Sequence, residues 1–146
     1  MPGIKVSVLI EAPPSEVWQV VEDVGSHVDW MDDAVAIRFT SDRTQGVGTT
    51  FECDTKVGPF KLMDLMEITQ WKPRKAMGVR HVGLVTGEGL FTLKKVRGSR
   101  TKFTWKEKLD FPWWLGGPLG ELVGGQLVLR RIWKHNLESL KAIVEG

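Results

Sequence analysis

The strongest constraint on the fold is a run of strand-like segments between residues 46 and 111, each of which ends in a turn signal. Breaks such as Gly58-Pro59 and Lys72-Pro73 suit hairpin connections, because Gly and Pro favour tight turns and interrupt regular strands. Strands joined by such short connections pair antiparallel. The sequence therefore predicts consecutive antiparallel strands at Gly46–Val57, Phe60–Trp71, Lys75–Val82, Glu88–Val96 and Lys102–Phe111.

The residues before this run predict one strand, two short helices and a second strand. Ile4–Ile10 alternates apolar residues with others at the period of a half-buried strand. After a pair of prolines, which a first helical turn tolerates, apolar residues recur with helical spacing until Gly25. We expect a second short helix or turn at residues 27–33 and a strand at Ala34–Phe39.

The last segment of the sequence predicts one long amphipathic helix. Apolar residues from Leu122 to Val144 step by three or four positions over about six turns. The order of the elements predicts an α+β fold, in which a curved antiparallel sheet of about seven strands wraps around the long C-terminal helix, with two short helices after strand one. With 146 residues, we expect a single ligand-binding domain over residues 1–146.

The segment from Phe111 to Gly125 places two adjacent tryptophans and five glycines directly before the long helix. Glycine weakens helices and tolerates unusual backbone angles, so we expect a mobile joint here. We expect its apolar bulk to form the lid or mouth of an apolar cavity. The sequence leaves open whether Trp113 and Trp114 plug that cavity, gate it, or dip into a membrane interface to exchange a lipid.

Composition excludes several classes of function. The hydrophobic share of 42% and the charged share of 26% are ordinary for a soluble globular protein. A formal net charge of +2 is too small to demand an acidic partner, and no stacking aromatics are interleaved with the basic clusters, so we expect no nucleic acid partner. The sequence leaves open a transient contact with a membrane surface and the oligomeric state.

The cysteine content and the first residues bear on location. Cys53 is the single cysteine, so no internal disulfide is expected, and we interpret this residue as a small core hydrophobe. The apolar run near the start is too short for a signal peptide, and no run reaches the ~18 apolar residues of a membrane span. We therefore expect a cytoplasmic protein.

Metal and nucleotide sites leave no signature in the sequence. His27, His81 and His135 are too scattered for a metal site, and we place His135 on a solvated face of the long helix. No phosphate-cradling glycine loop occurs, since the Gly-Glu-Gly at residues 87–89 lies between strands rather than before a helix. We expect no cofactor and no metal.

Several short motifs occur in a distinctive order. They are IEAPPSEVW near the start, Trp30 after the short helices, Gly46-Val-Gly48 at a strand start, ITQWKPRKAM in the middle, and GEGLFTL followed by RTKFTW before the long helix. With this order and spacing, essentially all 146 residues resemble the START-like (SRPBCC) helix-grip superfamily, and more narrowly the bacterial polyketide cyclase/dehydrase and lipid-transport group. The resemblance implies a helix-grip fold whose cavity, between sheet and long helix, holds a hydrophobic small molecule. It implies no particular reaction, because similar members include lipid carriers, ligand sensors and aromatase/cyclases.

Glu107 is the first candidate for chemistry. On the last predicted strand it shares a face with Trp105 and Leu109, while lysines dominate the other face, so Glu107 should point inward. An ionised carboxylate in an apolar cavity is costly unless it is paired or hydrogen-bonded. A ligand hydroxyl or a buried arginine that pairs with Glu107, or a raised pKa of Glu107, would each explain a carboxyl group in this position.

Asp64 is the second candidate, because it shares a strand face with Met66. If it faces inward, Asp64 and Glu107 form a carboxylate pair able to share a proton and do acid–base work. The alternative, which the sequence favours, is that each carboxylate meets a nearby arginine or a strand-end backbone group at the cavity rim. Arg80 and His81 are candidate partners, and the sequence does not decide which of them faces the cavity.

Aromatic residues supply most of the remaining candidates. Seven tryptophans are many for this length. Trp18 and Trp71 fit core packing, whereas Trp105 and Trp133 lie on the facing strand and helix surfaces that would bound a cavity. The candidate ligand-binding residues are Trp30, Phe51, Asp64, Met66, His81, Phe91, Trp105, Glu107, Trp113, Trp114, Leu122, Gln126, Leu129 and Trp133.

The leading hypothesis is binding or transport of a hydrophobic or amphipathic small molecule, lipid or polyketide-like, with Glu107 orienting its polar end. We favour this non-enzymatic role over a cyclase or dehydratase that uses Glu107, with Asp64, as acid or base in the same cavity. The absence of tyrosine counts against the enzyme, because aromatase/cyclase relatives commonly place phenol groups in the pocket. A third alternative is a protein-interaction or regulatory module whose cavity is filled by side chains. The sequence gives neither the ligand's identity nor a reaction.

Overall fold

The computed structural model describes residues 3–58, 60–110 and 126–146. Within these residues, seven strands form one antiparallel sheet. In chain order the elements are β1 (Ile4–Ile10), α1 (Pro14–Val21), a 3₁₀ helix (Val24–Asp29), β2 (Ala34–Phe39), β3 (Thr50–Val57), β4 (Phe60–Lys72), β5 (Ala76–Val82), β6 (Thr86–Val96), β7 (Arg100–Asp110) and α2 (Gln126–Glu145).

This architecture confirms the predicted α+β class, with a curved antiparallel sheet and a long C-terminal helix. The strand order across the sheet is β1-β7-β6-β5-β4-β3-β2. From β2 to β7 each strand pairs with the next one in sequence, as hairpin connections require. β1 pairs with β7, from Ile4 opposite Glu107 to Ile10 opposite Thr101, so β1 and β2 are the two edge strands.

The boundaries of several elements differ from the prediction, most clearly those of β3 and of the second short helix. β3 begins at Thr50 instead of Gly46, because Gly46 and Gly48 adopt φ of 88° and 94°, outside the extended range of a strand. The second short helix spans Val24–Asp29, so it starts earlier than predicted. The predicted start of the long helix at Leu122, and the glycine-rich joint before it, lie outside the described residues.

The core forms where α2 and the inner face of the sheet meet. α1 adds Trp18, whose ring meets that of Trp71 edge-on at a centroid distance of 5.2 Å, as core packing predicts. Burial of such large apolar surfaces holds the helices to the sheet. The buried apolar residues of α2 are Leu129, Trp133, Leu137 and Leu140, and those of β1 are Ile4, Val6, Val8 and Ile10.

α2 also covers the free edge of β1. Arg130 donates a hydrogen bond to the carbonyl oxygen of Lys5 at 3.1 Å, and Lys141 donates to that of Leu9 at 2.9 Å. Between them, Lys134 donates to another carbonyl oxygen of β1. These contacts satisfy backbone acceptors that have no neighbouring strand, so they keep the edge from pairing with another chain.

Gly87, at the start of β6, leaves no room for a side chain. Its φ is 131°, which only glycine adopts readily. A Cβ atom at this position would lie 2.0 Å from the carbonyl oxygen of Lys108 on β7. Any larger residue would therefore push β6 away from β7.

We expect Gly87→Ala to lower the free energy of unfolding by more than ~2 kcal/mol, because it combines backbone strain with a clash against β7. Gly98→Ala is the control, since Gly98 also has a positive φ, 83°, but the atom nearest to its added Cβ is 3.6 Å away. Gly98→Ala should lower the free energy of unfolding by about 1 kcal/mol. Urea unfolding followed by tryptophan fluorescence measures both, and equal losses would contradict the clash.

Candidate functional site

A cavity of about 130 Å³ lies between the inner face of the sheet and α2. Its wall is mostly apolar and is built from strands β2 to β7, the 3₁₀ helix and α2. Six apolar residues that the sequence singled out lie in this wall: Phe51, Met66, Phe91, Trp105, Leu129 and Trp133.

Three polar side chains in the wall form one hydrogen-bonded group, the polar triad: Asp64 of β4, His81 of β5 and Glu107 of β7. Nδ1 of His81 lies 2.6 Å from Oδ2 of Asp64, and Nε2 lies 2.5 Å from Oε1 of Glu107. The indole Nε1 of Trp105 donates to Oε2 of Glu107 at 3.0 Å. All three members of the triad are buried, so these contacts replace the hydration that burial removes.

Two glycines of β6 allow the triad to form. β5 and β7 are not neighbours, because β6 lies between them. Gly87 pairs with His81 and Gly89 pairs with Glu107, so no β6 side chain stands between the imidazole and the carboxylate. A Cβ on Gly89 would lie 2.9 Å from Oε1 of Glu107. In the sequence, the Gly-Glu-Gly motif at residues 87–89 marks the place but does not predict this contact.

The geometry makes His81 an imidazolium. Both ring nitrogens face carboxylate oxygens, so both carry a hydrogen that they donate. Burial lowers the pKa of His81, but the hydrogen bonds and charges of Asp64 and Glu107 outweigh it and raise that pKa to about 10. With both carboxylates ionised, the triad carries one positive and two negative charges.

A second polar group, centred on Asp33, borders the same cavity. Asn136 of α2 is buried, and its Nδ2 donates to Oδ1 of Asp33 at 2.8 Å. The Asn136 side-chain oxygen accepts from the backbone N–H of Asp32 at 3.0 Å. Burial raises the pKa of Asp33 in spite of these hydrogen bonds. Sequence reasoning missed Asp33 because it lies just before β2, where no periodic pattern reports the direction of a side chain.

His27 also lines the cavity, but in the opposite protonation state. Its Nε2 donates to the carbonyl oxygen of Val21 at 2.7 Å, and its ring centroid lies 5.0 Å from that of Trp30. Burial lowers the pKa of His27 to about 4. The ring is therefore neutral at pH 7 and adds no charge to the cavity.

One buried acceptor of the triad has no hydrogen-bond partner among the described residues. It is Oδ1 of Asp64, the oxygen that does not contact His81. Leaving such an acceptor unpaired costs about 1–3 kcal/mol, so a donor brought by a ligand would gain from meeting it. Glu107, by contrast, has both oxygens engaged.

The remaining candidates lie elsewhere. Trp30 is 1% exposed and packs behind the cavity wall, with its ring 5.9 Å from Phe91 and 6.4 Å from Trp105 between centroids. Its place is therefore in the core rather than in the wall that a ligand would touch. Outside the described part of the chain lie Trp113, Trp114, Leu122 and the side chain of Gln126.

The favoured sequence interpretation of the two carboxylates is wrong. Neither meets an arginine or a strand-end group at a rim, because both are buried against His81. They do not pair directly with each other, since the imidazole lies between them. His81 faces the cavity, whereas Arg80 is exposed and pairs with Glu67 at 3.2 Å, as strand alternation requires once the inner face is known.

Cys53 lies in the cavity wall as a buried thiol. Burial raises its pKa to about 11, so it is uncharged at neutral pH. Across residues 3–58, 60–110 and 126–146, no three His, Cys, Asp or Glu side chains are arranged to hold a metal ion. The helices in these ranges include none that is long and apolar enough to cross a bilayer.

The chain is similar in sequence to one protein family and in fold to several solved structures. Residues 1–145 match the family described as polyketide cyclase/dehydrase and lipid transport. A search of curated proteins gives no match.

The similar solved structures come from several bacteria. A Thermus thermophilus protein is 18% identical with a TM-score of 0.81, over 98% of this chain and 97% of the other. The Zhui aromatase/cyclase of a Streptomyces species is 16% identical with a TM-score of 0.79, over 99% and 93%. A START superfamily protein of Mycobacterium smegmatis is 12% identical with a TM-score of 0.75, over 98% and 97%. At these identities the likeness shows the fold alone.

We expect His81 and His27 to titrate far apart. In nitrogen-15 NMR spectra, both ring nitrogens of His81 should stay protonated up to about pH 9, because two carboxylates hold the imidazolium. His27 should stay neutral down to about pH 5, because its surroundings are apolar. Deprotonation of His81 below neutral pH would contradict the charge assigned to the triad.

The triad should also make stability depend on pH. Because the folded-state pKa of His81, about 10, exceeds its ordinary value of 6.5, the stabilisation is complete below pH 6.5 and is lost as the pH rises towards 10. The unfolding free energy of the wild type should therefore exceed that of His81→Gln by several kcal/mol in mildly acidic solution, and by a smaller margin in alkaline solution. Urea titrations under both conditions measure the difference, and a margin that does not shrink would refute the linkage.

Proposed function

Because the chain belongs to the polyketide cyclase/dehydrase and lipid transport family, we propose that it binds or transports an apolar or amphipathic small molecule in the cavity between the sheet and α2. The observation that carries this proposal is the cavity, about 130 Å³ walled mainly by apolar side chains, with the polar triad on one part of the wall. Protein interiors are normally packed without such space. The space also argues against the alternative of an interaction module whose cavity is filled.

The volume of the cavity suggests the bulk of its occupant. A cavity of ~150 Å³ in an apolar protein core holds one benzene-sized molecule. The ligand, or the part of it that enters the described cavity, therefore has the bulk of one ring or of a short branched chain. Burial of its apolar surface would supply affinity at roughly 25 cal/mol per Å².

The hydrogen bonds of the triad count against Glu107 as the acid or base of a catalysed reaction. His81 has both ring nitrogens engaged with carboxylates, and Glu107 accepts a hydrogen bond at each oxygen. A general acid or base needs an atom that can exchange a proton with the ligand. Within the described residues, Oδ1 of Asp64 is the triad oxygen left without a donor, so we assign the orienting role to Asp64 rather than to Glu107.

We expect the wild type to bind toluene and to report this binding through its fluorescence, because Trp105 and Trp133 lie in the cavity wall. Val79→Phe should weaken binding at least about tenfold, since Val79 lines the cavity and the added ring would occupy it. Val82→Phe is the matched control, because Val82 lies on the same strand and is 48% exposed. It should bind as the wild type does.

Failure of the wild type to bind toluene or any polar one-ring analogue, in fluorescence and NMR titrations alike, would refute the proposal. Equal binding by Val79→Phe and Val82→Phe would place the probe somewhere other than this cavity. If toluene binds in this cavity, native mass spectrometry of protein purified from its own host would identify the natural occupant.

A further inference from the structure

The charges that line the cavity are unbalanced. Asp33, Asp64 and Glu107 contribute three carboxyl groups, and His81 contributes the one imidazolium. Among the described residues, no lysine or arginine lines the cavity. The described part of the cavity wall therefore carries an excess negative charge of two, or of one when Asp33 is protonated. Excess charge of one sign in apolar surroundings is costly unless a counter-charge joins it.

The same acidic region contains an unused acceptor. Asp64 is 8% exposed and lines the cavity, and its Oδ1 has no donor among the residues that the structure describes. Its neighbours in the region are already hydrogen-bonded, because Glu107 uses both oxygens and Oδ1 of Asp33 accepts from Asn136. The missing component is a donor that reaches Asp64.

Aromatic rings form much of the wall around these carboxyl groups. Trp105 and Trp133 stack with centroids 4.8 Å apart and planes 15° apart. Phe91 meets Trp105 edge-on at 5.3 Å, and all three residues line the cavity. These rings surround the carboxyl groups with apolar surface, which raises the free-energy cost of their excess negative charge.

We propose that the cavity takes a small hydrophobic amine, which binds in its protonated form and donates an ammonium hydrogen to the carboxylate of Asp64. This inference rests on the proposed function, because it names the class of molecule that the cavity binds. The ammonium group offsets the excess negative charge and satisfies the unpaired acceptor, while the hydrocarbon part contacts the apolar wall. A free fatty acid would add a charge of the wrong sign, and a plain hydrocarbon would leave Asp64 unpaired.

Four one-ring compounds test the inference, because they share a phenyl group and differ in what it carries: benzylamine, benzyl alcohol, toluene and benzoate. At neutral pH we expect benzylamine to bind at least about tenfold more tightly than toluene, and benzoate at least about tenfold more weakly. Benzyl alcohol, a neutral donor, should fall between benzylamine and toluene. Tryptophan fluorescence and isothermal titration calorimetry measure the four dissociation constants.

Asp64→Asn tests the contact itself, because it removes the negative charge with little change in size. The variant should bind benzylamine and toluene with about equal affinity, so the test is the ratio of the two affinities, which a general loss of packing would not change selectively. Glu67→Gln is the matched control, since it makes the same change of charge on β4 at a partly exposed residue that pairs with Arg80. It should keep the wild-type order of affinities.

Each outcome distinguishes the two proposals. If toluene or benzoate binds as tightly as benzylamine, the inference that the ligand is an amine is wrong, while the proposed function stands. If Asp64→Asn retains the wild-type preference for benzylamine, the contact with Asp64 is overturned. If none of the four compounds binds, the proposed function itself fails. If circular dichroism shows that Asp64→Asn does not fold, the four dissociation constants of the wild type still decide the class of ligand.

Discussion

The imidazolium of His81, held between the carboxylates of Asp64 and Glu107, is the interaction on which the cavity depends. An isolated buried ion is costly, and here each ion is placed against one of opposite sign and hydrogen-bonded to it. Losing one member would leave the others uncompensated, which destabilises a protein far more than an intact buried group stabilises it. The triad therefore forms or fails as a unit, and it is the main polar part of an otherwise apolar cavity wall.

That unit in turn depends on the backbone of the sheet. β6 separates the strands that carry His81 and Glu107, and Gly87 and Gly89 remove the side chains that would stand between them. α2 closes the cavity from the other side with Leu129 and Trp133, while its cationic side chains cover the edge of β1. The same helix thus provides part of the apolar wall and protects the edge of the sheet.

Much of the fold could be predicted because its signals are local. Turn residues marked the hairpins, and the alternation along β7 placed Glu107 on the inner face correctly. The polar contacts could not be predicted in the same way. Alternation could not decide between Arg80 and His81, because both neighbours are polar and only the position of the strand in the curved sheet defines the inner face. Asp33 and Asn136 meet through the packing of α2 against the turn before β2, which no periodicity reports.

The sequence by itself determined the order of the elements, the antiparallel pairing of consecutive strands and the apolar stripe of the long helix, because turns and periodic burial are properties of neighbouring residues. Only the tertiary structure decided that two carboxylates distant in sequence share one imidazolium and that two glycines of an intervening strand let them do so. It also decided that, among the described residues, one oxygen of Asp64 has no donor. Those facts depend on the curvature of the sheet and on contacts between strands that are not neighbours, and no local pattern in a chain encodes them.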